Sequence, residues 1–240
     1  MKDRFGKVRD VRVEDPSTWL SEIYLTLDID WACDEIILDS IRLIEKAGVA
    51  ATWFVTHETP VLERLRENPR FELGIHPNFN FLLDGDPRNG ANAEEVIDRL
   101  LAIVPDAKSV RSHSMMQSTN ILQIFVERGL THDSNHFIPE QSALSLEPWV
   151  LWNGLVKVPY FWEDDAVCLF PQNTPVLELV RRAGLKVFDF HPIHVFLNTE
   201  HMGRYERTRP LHRNPLELSE HRCEGVGTRT RLETLLGLVR

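Results

Sequence analysis

The stretch Leu25-Thr26-Leu27-Asp28-Ile29-Asp30-Trp31 most constrains what this chain can become. The apolar residues Ile23, Leu25 and Leu27 read as a buried strand. That strand ends in two carboxylates, and its period of two points Asp28 and Asp30 to the same side. Neighbouring carboxylates repel, so they need a cation, a shared proton or a basic partner. A solvated strand end with a helix-capping Asp is the plain alternative. Charged groups at a buried strand are rarely tolerated unpaired, so their partners are expected elsewhere in the chain.

An alternation of helix and strand follows. Asp34 can cap a helix to about residue 47, with Ile36, Ile37, Ile41 and Ile44 on its apolar face and Gly48 as its stop. Residues 50–56 read as a second strand, and Thr59-Pro60 opens a helix to about Glu67. Residues 71–76 form a third strand and 77–91 a long loop; Asn92 and Glu95 then have capping-box spacing for a helix to about Val104. Residues 109–113 predict a fourth strand, Ser118 or Thr119 opens a helix closed by Gly129, and 130–134 form a short fifth strand. Residues 135–153 read as loop, and 155–160 as a strand running into Phe161-Trp162-Glu163-Asp164-Asp165. Thr174-Pro175 starts a helix ended by Gly184, and 186–191 form a late strand. Residues 1–20 read as an irregular lead-in and 199–227 as a surface excursion or lid. The last helix, 230–239, has Thr230 and Glu233 as its capping box and Leu232, Leu235, Leu236 and Val239 facing inward.

About seven strand–helix alternations predict parallel strands with crossover helices, in one barrel-like α/β domain over residues 1–240. A chain of 240 residues, 42% hydrophobic, can bury one such core. The net charge of −9 argues against a nucleic-acid or anionic-membrane surface. Three scattered cysteines with no CxxC fit reduced thiols in a cytoplasmic protein. Residues 1–6 show no apolar leader, and no apolar run is long enough to span a bilayer. The chemically able residues follow strand ends: Asp28 and Asp30, His76, Arg111 and His113, Asp164, His191. In a barrel, loops at those ends build the site, so these groups are expected to converge on one face.

Taken in order, LTLDIDW, ATWFVT, ELGIHPN, VRSHS, VPYFWEDD and VFDFHPIH resemble the motifs of the polysaccharide deacetylase (NodB homology) superfamily of carbohydrate esterases. More narrowly, they resemble the WbmS-like deacetylases of O-antigen loci. The resemblance covers roughly residues 22–198. It implies a distorted (β/α)7 barrel, one divalent metal ion with zinc expected, and hydrolysis of an N-acetyl group from a sugar or O-antigen precursor.

Within that resemblance, Asp28 matches the family's catalytic base, Asp30 a metal ligand and His76 a second ligand. The family's next histidine is here Asn80, which leaves His113 or Asn80 as the third ligand. Imidazole is the better donor for zinc-like ions, which favours His113. Arg111, two residues earlier on the same strand side, matches the arginine that pairs with and orients the base. Ser114 stands where a backbone N–H helps bind the oxyanion. His191 matches the general acid and Asp164 the aspartate that orients it, with Asp165 as the fallback. His194 is either a site group or a loop histidine. Trp31, Trp162 and Phe161 can form a sugar-stacking wall or simply pack in the core. The substitution at Asn80 keeps open another C–N hydrolase on the same barrel, of cyclic-imide or allantoin type, and a non-catalytic carbohydrate-binding protein.

Overall fold

Six consecutive buried residues, Ile23–Asp28, form the strand around which the sheet is laid. The structure is a computed structural model and describes residues 4–170 and 174–237. In chain order the elements are β1 (Phe5–Gly6), β2 (Ile23–Asp28), α1 (Asp34–Ala47), β3 (Ala51–Val55), α2 (Val61–Glu67), β4 (Phe71–Ile75), α3 (Asn80–Leu83), α4 (Ala93–Ile103) and β5 (Ser109–Val110). There follow α5 (Thr119–Glu127), β6 (His132–Asp133), β7 (Trp149–Val150), β8 (Val156–Lys157), β9 (Trp162–Glu163), α6 (Asp164–Leu169) and α7 (Val176–Leu179). The chain continues through β10 (Lys186–Phe190), α8 (Pro192–Leu197), α9 (Met202–Thr208), α10 (Pro215–Ser219) and α11 (Thr228–Gly237).

The strands lie in the order β7-β8-β6-β5-β4-β3-β2-β10-β9, with β1 beside the first half of β2. Among the described residues every pairing is parallel except β7 with β8. Only residues 158–161 separate β8 from β9, though these strands lie toward opposite ends of the order. The sheet is therefore curled on itself, an open form of the expected distorted barrel. Crossover helices cover its outside because parallel neighbours cannot be joined by tight turns. Ile36, Ile37, Ile41 and Ile44 of α1 are buried, and Gly48 ends that helix at φ 70°. Cys33 is the N-cap of α1 and makes no side-chain capping bond; Asp34 instead accepts from Thr59 Oγ1 at 2.5 Å. The Asn92–Glu95 box caps α4, with Glu95 N donating to Asn92 Oδ1 at 2.9 Å.

Several segments differ from their sequence expectation for physical reasons. The lead-in is a plug and not irregular: Phe5, Val8, Val11 and Trp19 are buried. Val8 N donates to Thr52 Oγ1 (3.0 Å), Arg9 N to Glu72 Oε2 (3.1 Å), and Val11 O meets His132 Nε2 (2.9 Å). These bonds seal the lower interior of the half-barrel through the backbone, which side-chain patterning does not reveal. Residues 77–91 contain α3, 135–153 contain β7, and β9 is a strand separate from β8. The 199–227 excursion is largely helical, and Leu218 of α10 is fully buried. α7 stops at Leu179, and Gly184 bridges to Leu146 instead. α11 begins at Thr228, and Glu233 pairs with Arg229 (3.2 Å) in place of the capping box. Leu232, Leu235 and Leu236 are buried as expected. Residues 1–3 of the lead-in and Val239 lie outside the described residues.

Gly74 of β4 sits where neighbouring atoms leave no room for a side chain. A Cβ there would lie 2.7 Å from Ser109 O and 2.8 Å from the Phe54 ring. Overpacking of this kind costs about 1–3 kcal/mol. Gly74→Ala should lower the denaturant midpoint accordingly with the m-value unchanged; an unaltered midpoint would show slack in the interior.

Candidate active site

The expected residues converge at the C-terminal ends of the parallel strands. Asp28 ends β2, His76 follows β4, Arg111 and His113 follow β5, Asp164 follows β9 and His191 follows β10. Beyond Val110 the chain stays extended enough for Arg111 N to reach Ile75 O (3.1 Å) and His113 N to reach Pro77 O (2.9 Å). The period of two therefore survives although the strand itself stops.

Asp30 and Trp31 both lie in the left-handed region, at φ 37° and 55°, inside a turn closed by Ala32 N to Ile29 O (2.9 Å). Ser114 and Met115 do the same at φ 57° and 54°. Such residues cost on the order of 1–3 kcal/mol each and are kept where a side chain must be aimed. Here the two strained turns present Asp30 and His113. The two carboxylates flank one imidazole: His76 Nδ1 is 3.4 Å from Asp28 Oδ2, and His76 Nε2 is 3.2 Å from Asp30 Oδ1. His113 Nδ1 lies 3.5 Å from the same Asp30 oxygen and 3.3 Å from His76 Nε2.

These three donor atoms fit a metal ion. Tetrahedral bonds of about 2.0–2.2 Å set neighbouring donors roughly 3.3–3.6 Å apart, and the observed separations are 3.2, 3.3 and 3.5 Å. Asp30 Oδ1 is buried without a hydrogen-bond partner, as a ligand atom awaiting a cation would be. Burial works to raise the Asp30 carboxyl. The imidazoles of His113 and His76, with His191 behind them, outweigh it and hold the group well below the usual carboxylate range. Asn80 points elsewhere, donating from Nδ2 to Ser114 Oγ at 3.0 Å.

His191 is bound to Asp164 twice: its N–H donates to Oδ2 (2.8 Å), and Nδ1 meets Oδ1 (2.7 Å). Its Nε2 faces Asp30 Oδ2 at 3.7 Å. Burial opposes charge on this imidazole, but Asp165, Asp164 and Asp30 raise it well above the ordinary histidine range. Asp165 serves another ring, with Oδ1 2.5 Å from His194 Nε2. Despite its burial, His191 and His194 hold Asp165 down to about 2. His194 is thus a buried, paired residue and not a loop histidine. Tyr205 of α9 stacks on it at 4.8 Å, so the excursion reaches the site.

Arg111, 1% exposed, fills the interior behind Asp28. Its Nη1 donates to Asp28 Oδ1 (3.1 Å), Thr26 Oγ1 (2.9 Å) and Asp189 Oδ1; Nε and Nη2 go to Ser134 O and Oγ (3.1 and 3.0 Å). The guanidinium is sandwiched between Phe54 and Tyr160, at 4.7 and 4.4 Å. Sequence reasoning missed Asp189; the available signal was an acid between Phe188 and Phe190 in an apolar strand. It also missed Tyr205, which no motif marked.

Trp31 stands beside His113, edge to face at 5.1 Å, and is 38% exposed. The expectation for Trp162 is corrected. Its register partner is Phe188, and it packs on Phe188 and Phe190 in the core, on the side away from Asp189 and Arg111. Phe161 is likewise buried, against Phe188.

A curled parallel sheet whose strand ends carry an Asp/His2 donor set beside a histidine–aspartate pair defines the cleft of an α/β half-barrel hydrolase. The match to the WbmS-like polysaccharide deacetylase family, over residues 25–209, makes the class specific: the chain belongs to that family. It is accordingly an amide hydrolase of non-peptide C–N bonds that acts on acetylated saccharides. The chain is 46% identical to a Bordetella bronchiseptica protein described as a polysaccharide deacetylase involved in O-antigen biosynthesis, over 100% of this chain and 99% of that one, with a TM-score of 0.94. A protein described as a polysaccharide deacetylase from Mycobacterium smegmatis is 18% identical over 95% and 93% of the two chains, TM-score 0.49. The family 4 carbohydrate esterase of Streptomyces lividans is 14% identical over 71% and 78%, TM-score 0.45. No curated protein matches the chain. Among the described residues, no helix is long and apolar enough to cross a membrane.

If His113 completes the cation site, His113→Ala should strip zinc as His76→Ala does. The loss should be at least the ~10–100-fold that even outer hydrogen-bond partners of a ligand cost. Asn80→Ala should bind zinc normally. Zinc titration followed by metal analysis reads this, and weak binding only in Asn80→Ala would reverse the ligand assignment.

Proposed function

We propose that this chain removes an N-acetyl group from a sugar or O-antigen precursor, releasing acetate and an amine, with a divalent cation held by Asp30, His76 and His113. The observation that carries the reading is the mutual 3.2–3.5 Å spacing of those three donors next to the His191–Asp164 pair. The mixed nitrogen and oxygen donors favour zinc. Bound there, the ion would polarise the acetyl carbonyl and acidify a water.

The chain's own residues divide the proton work. Asp28, aimed by Arg111, accepts the proton of the attacking water. The backbone N–H at Ser114, carried on its strained turn, donates to the oxygen that becomes negative as the carbonyl is attacked. His191 holds a proton because three carboxylates outweigh its burial, and it delivers that proton to the departing nitrogen. Asp164 fixes His191 through both carboxylate oxygens, one on its backbone N–H and one on ring Nδ1. Trp31 offers the sugar an apolar face beside the cleft. Three unpaired cysteines suit a reducing compartment, so we infer action on a precursor in the cytoplasm.

The direct assay is acetate release from N-acetyl sugars and nucleotide sugars, with and without chelation. No acetate from any of them under zinc-replete conditions would sink the reading. Asp28→Asn should keep its zinc and lose about 10²–10⁴-fold in rate, the usual worth of a general base; loss of zinc in that variant would reassign the residue. His191 acts in its protonated form, so activity should persist as pH rises through neutrality and fall only past its raised pKa. Asp164→Asn removes a negative partner and should move that basic limb to lower pH. A limb that stays in place would remove His191 from the acid role.

A further inference from the structure

The interior behind the site holds one carboxylate that the proton work does not use. Asp189 is fully buried on β10, and its Oδ1 receives the Arg111 guanidinium at Nη1 together with the Thr26 hydroxyl at 2.7 Å. Arg111 Nη1 has two hydrogens and three acceptors: Asp28, Thr26 and Asp189. The other guanidinium nitrogens are committed to Ser134, and both faces are covered by aromatic rings. Without an acceptor at Asp189, Thr26 Oγ1 alone would hold Nη1 on that side against moving further onto Asp28. Bidentate pairing is the favoured geometry for an arginine and a carboxylate, and it would take the Asp28 oxygen that now faces His76.

We propose that Asp189 is a positioning residue: its Oδ1 anchors Arg111 so that the arginine meets Asp28 through a single nitrogen and leaves the second Asp28 oxygen facing His76. The inference rests on Asp28 being the proton acceptor of the deacetylase reading. The role needs an acceptor oxygen and not a negative charge.

Two variants separate the oxygen from the charge. Asp189→Asn keeps an oxygen of the same reach and should hold kcat within a few-fold of the parent. Asp189→Ala removes it and should lower kcat on the order of 10²-fold, the cost of a misplaced reacting group, with KM and bound zinc unchanged. Unchanged kcat in Asp189→Ala, or equal damage in both variants, would overturn the proposal. Should Asp189→Ala fail to fold, Asp189→Leu decides, because it keeps the branched shape and lacks both oxygens. A fall in its kcat with KM and bound zinc unchanged supports the anchor, and a parental kcat overturns it. Parental acetate release judges the deacetylase reading separately. If there is none, the guanidinium N–H signals of Arg111 in nitrogen-15 spectra still judge the anchor: they should stay near parental in Asp189→Asn and shift or broaden in Asp189→Ala, or in Asp189→Leu if Asp189→Ala does not fold. Parental signals in the variant lacking the oxygens would overturn the proposal.

Discussion

The burial of Arg111 is the constraint on which the rest of this molecule depends. A guanidinium inside a half-barrel is tolerable only when its charge and all its donors are met. Thr26 and Asp28 come from β2, Ser134 from beyond β6, Asp189 from β10, and the flanking rings from β3 and the segment before β9. The arginine thus ties together strands drawn from most of the sheet. It also gives that burial a use, because one of the groups satisfying it is the carboxylate at the floor of the cleft. Burial opposes charge on Arg111, but Asp189 and Asp28 reverse the effect and raise its pKa further.

How far the chain could be read in advance follows from where each signal sits. The Asp28–Asp30 stretch, His76, Arg111, His113, Asp164 and His191 were legible because parallel strands release chemistry at one end, and the apolar runs before them were unmistakable. His113 over Asn80 followed from ligand chemistry alone, and the donor spacing suits it. The lead-in was illegible because Val8 and Arg9 plug the interior with backbone N–H groups. Trp162 could not be oriented without knowing that β9 pairs with β10 in register Phe188 to Trp162. Asp189 was visible as an acid in an apolar strand, but its purpose depends on an arginine 78 residues away. Tyr205 reaches the site only because the excursion folds back as helices.

Family membership and the geometry of the site constrain different things. Membership of the family and 46% identity over the whole chain fix the reaction class. They do not say which side chain occupies the position left by the missing histidine of the ligand motif. Only the distances among Asp30, His76 and His113 address that, and they do so with a residue from a different strand end. In the proposed donor set the third ligand comes from a neighbouring loop in place of an i, i+4 partner, and that loop carries the strained Ser114–Met115 turn.

Asp30 is pushed down and His191 up, so both charged forms are favoured with His191 Nε2 and Asp30 Oδ2 3.7 Å apart, the divergence that the proposed acid and ligand roles need. Asp30 is held ionised by two imidazoles and offers a bare oxygen, as a ligand should. His191 sees Asp165, Asp164 and Asp30 together and keeps its proton in spite of full burial. Glu163, on the same rim, is pushed up to about 7 chiefly by burial, against the pull of His191. A cleft with this many carboxylates would repel itself if all were charged and unpaired. It holds because its carboxylates face committed partners: Asp28 has Arg111, Asp164 has His191, Asp165 has His194, and Asp30 faces the imidazoles of His76 and His113.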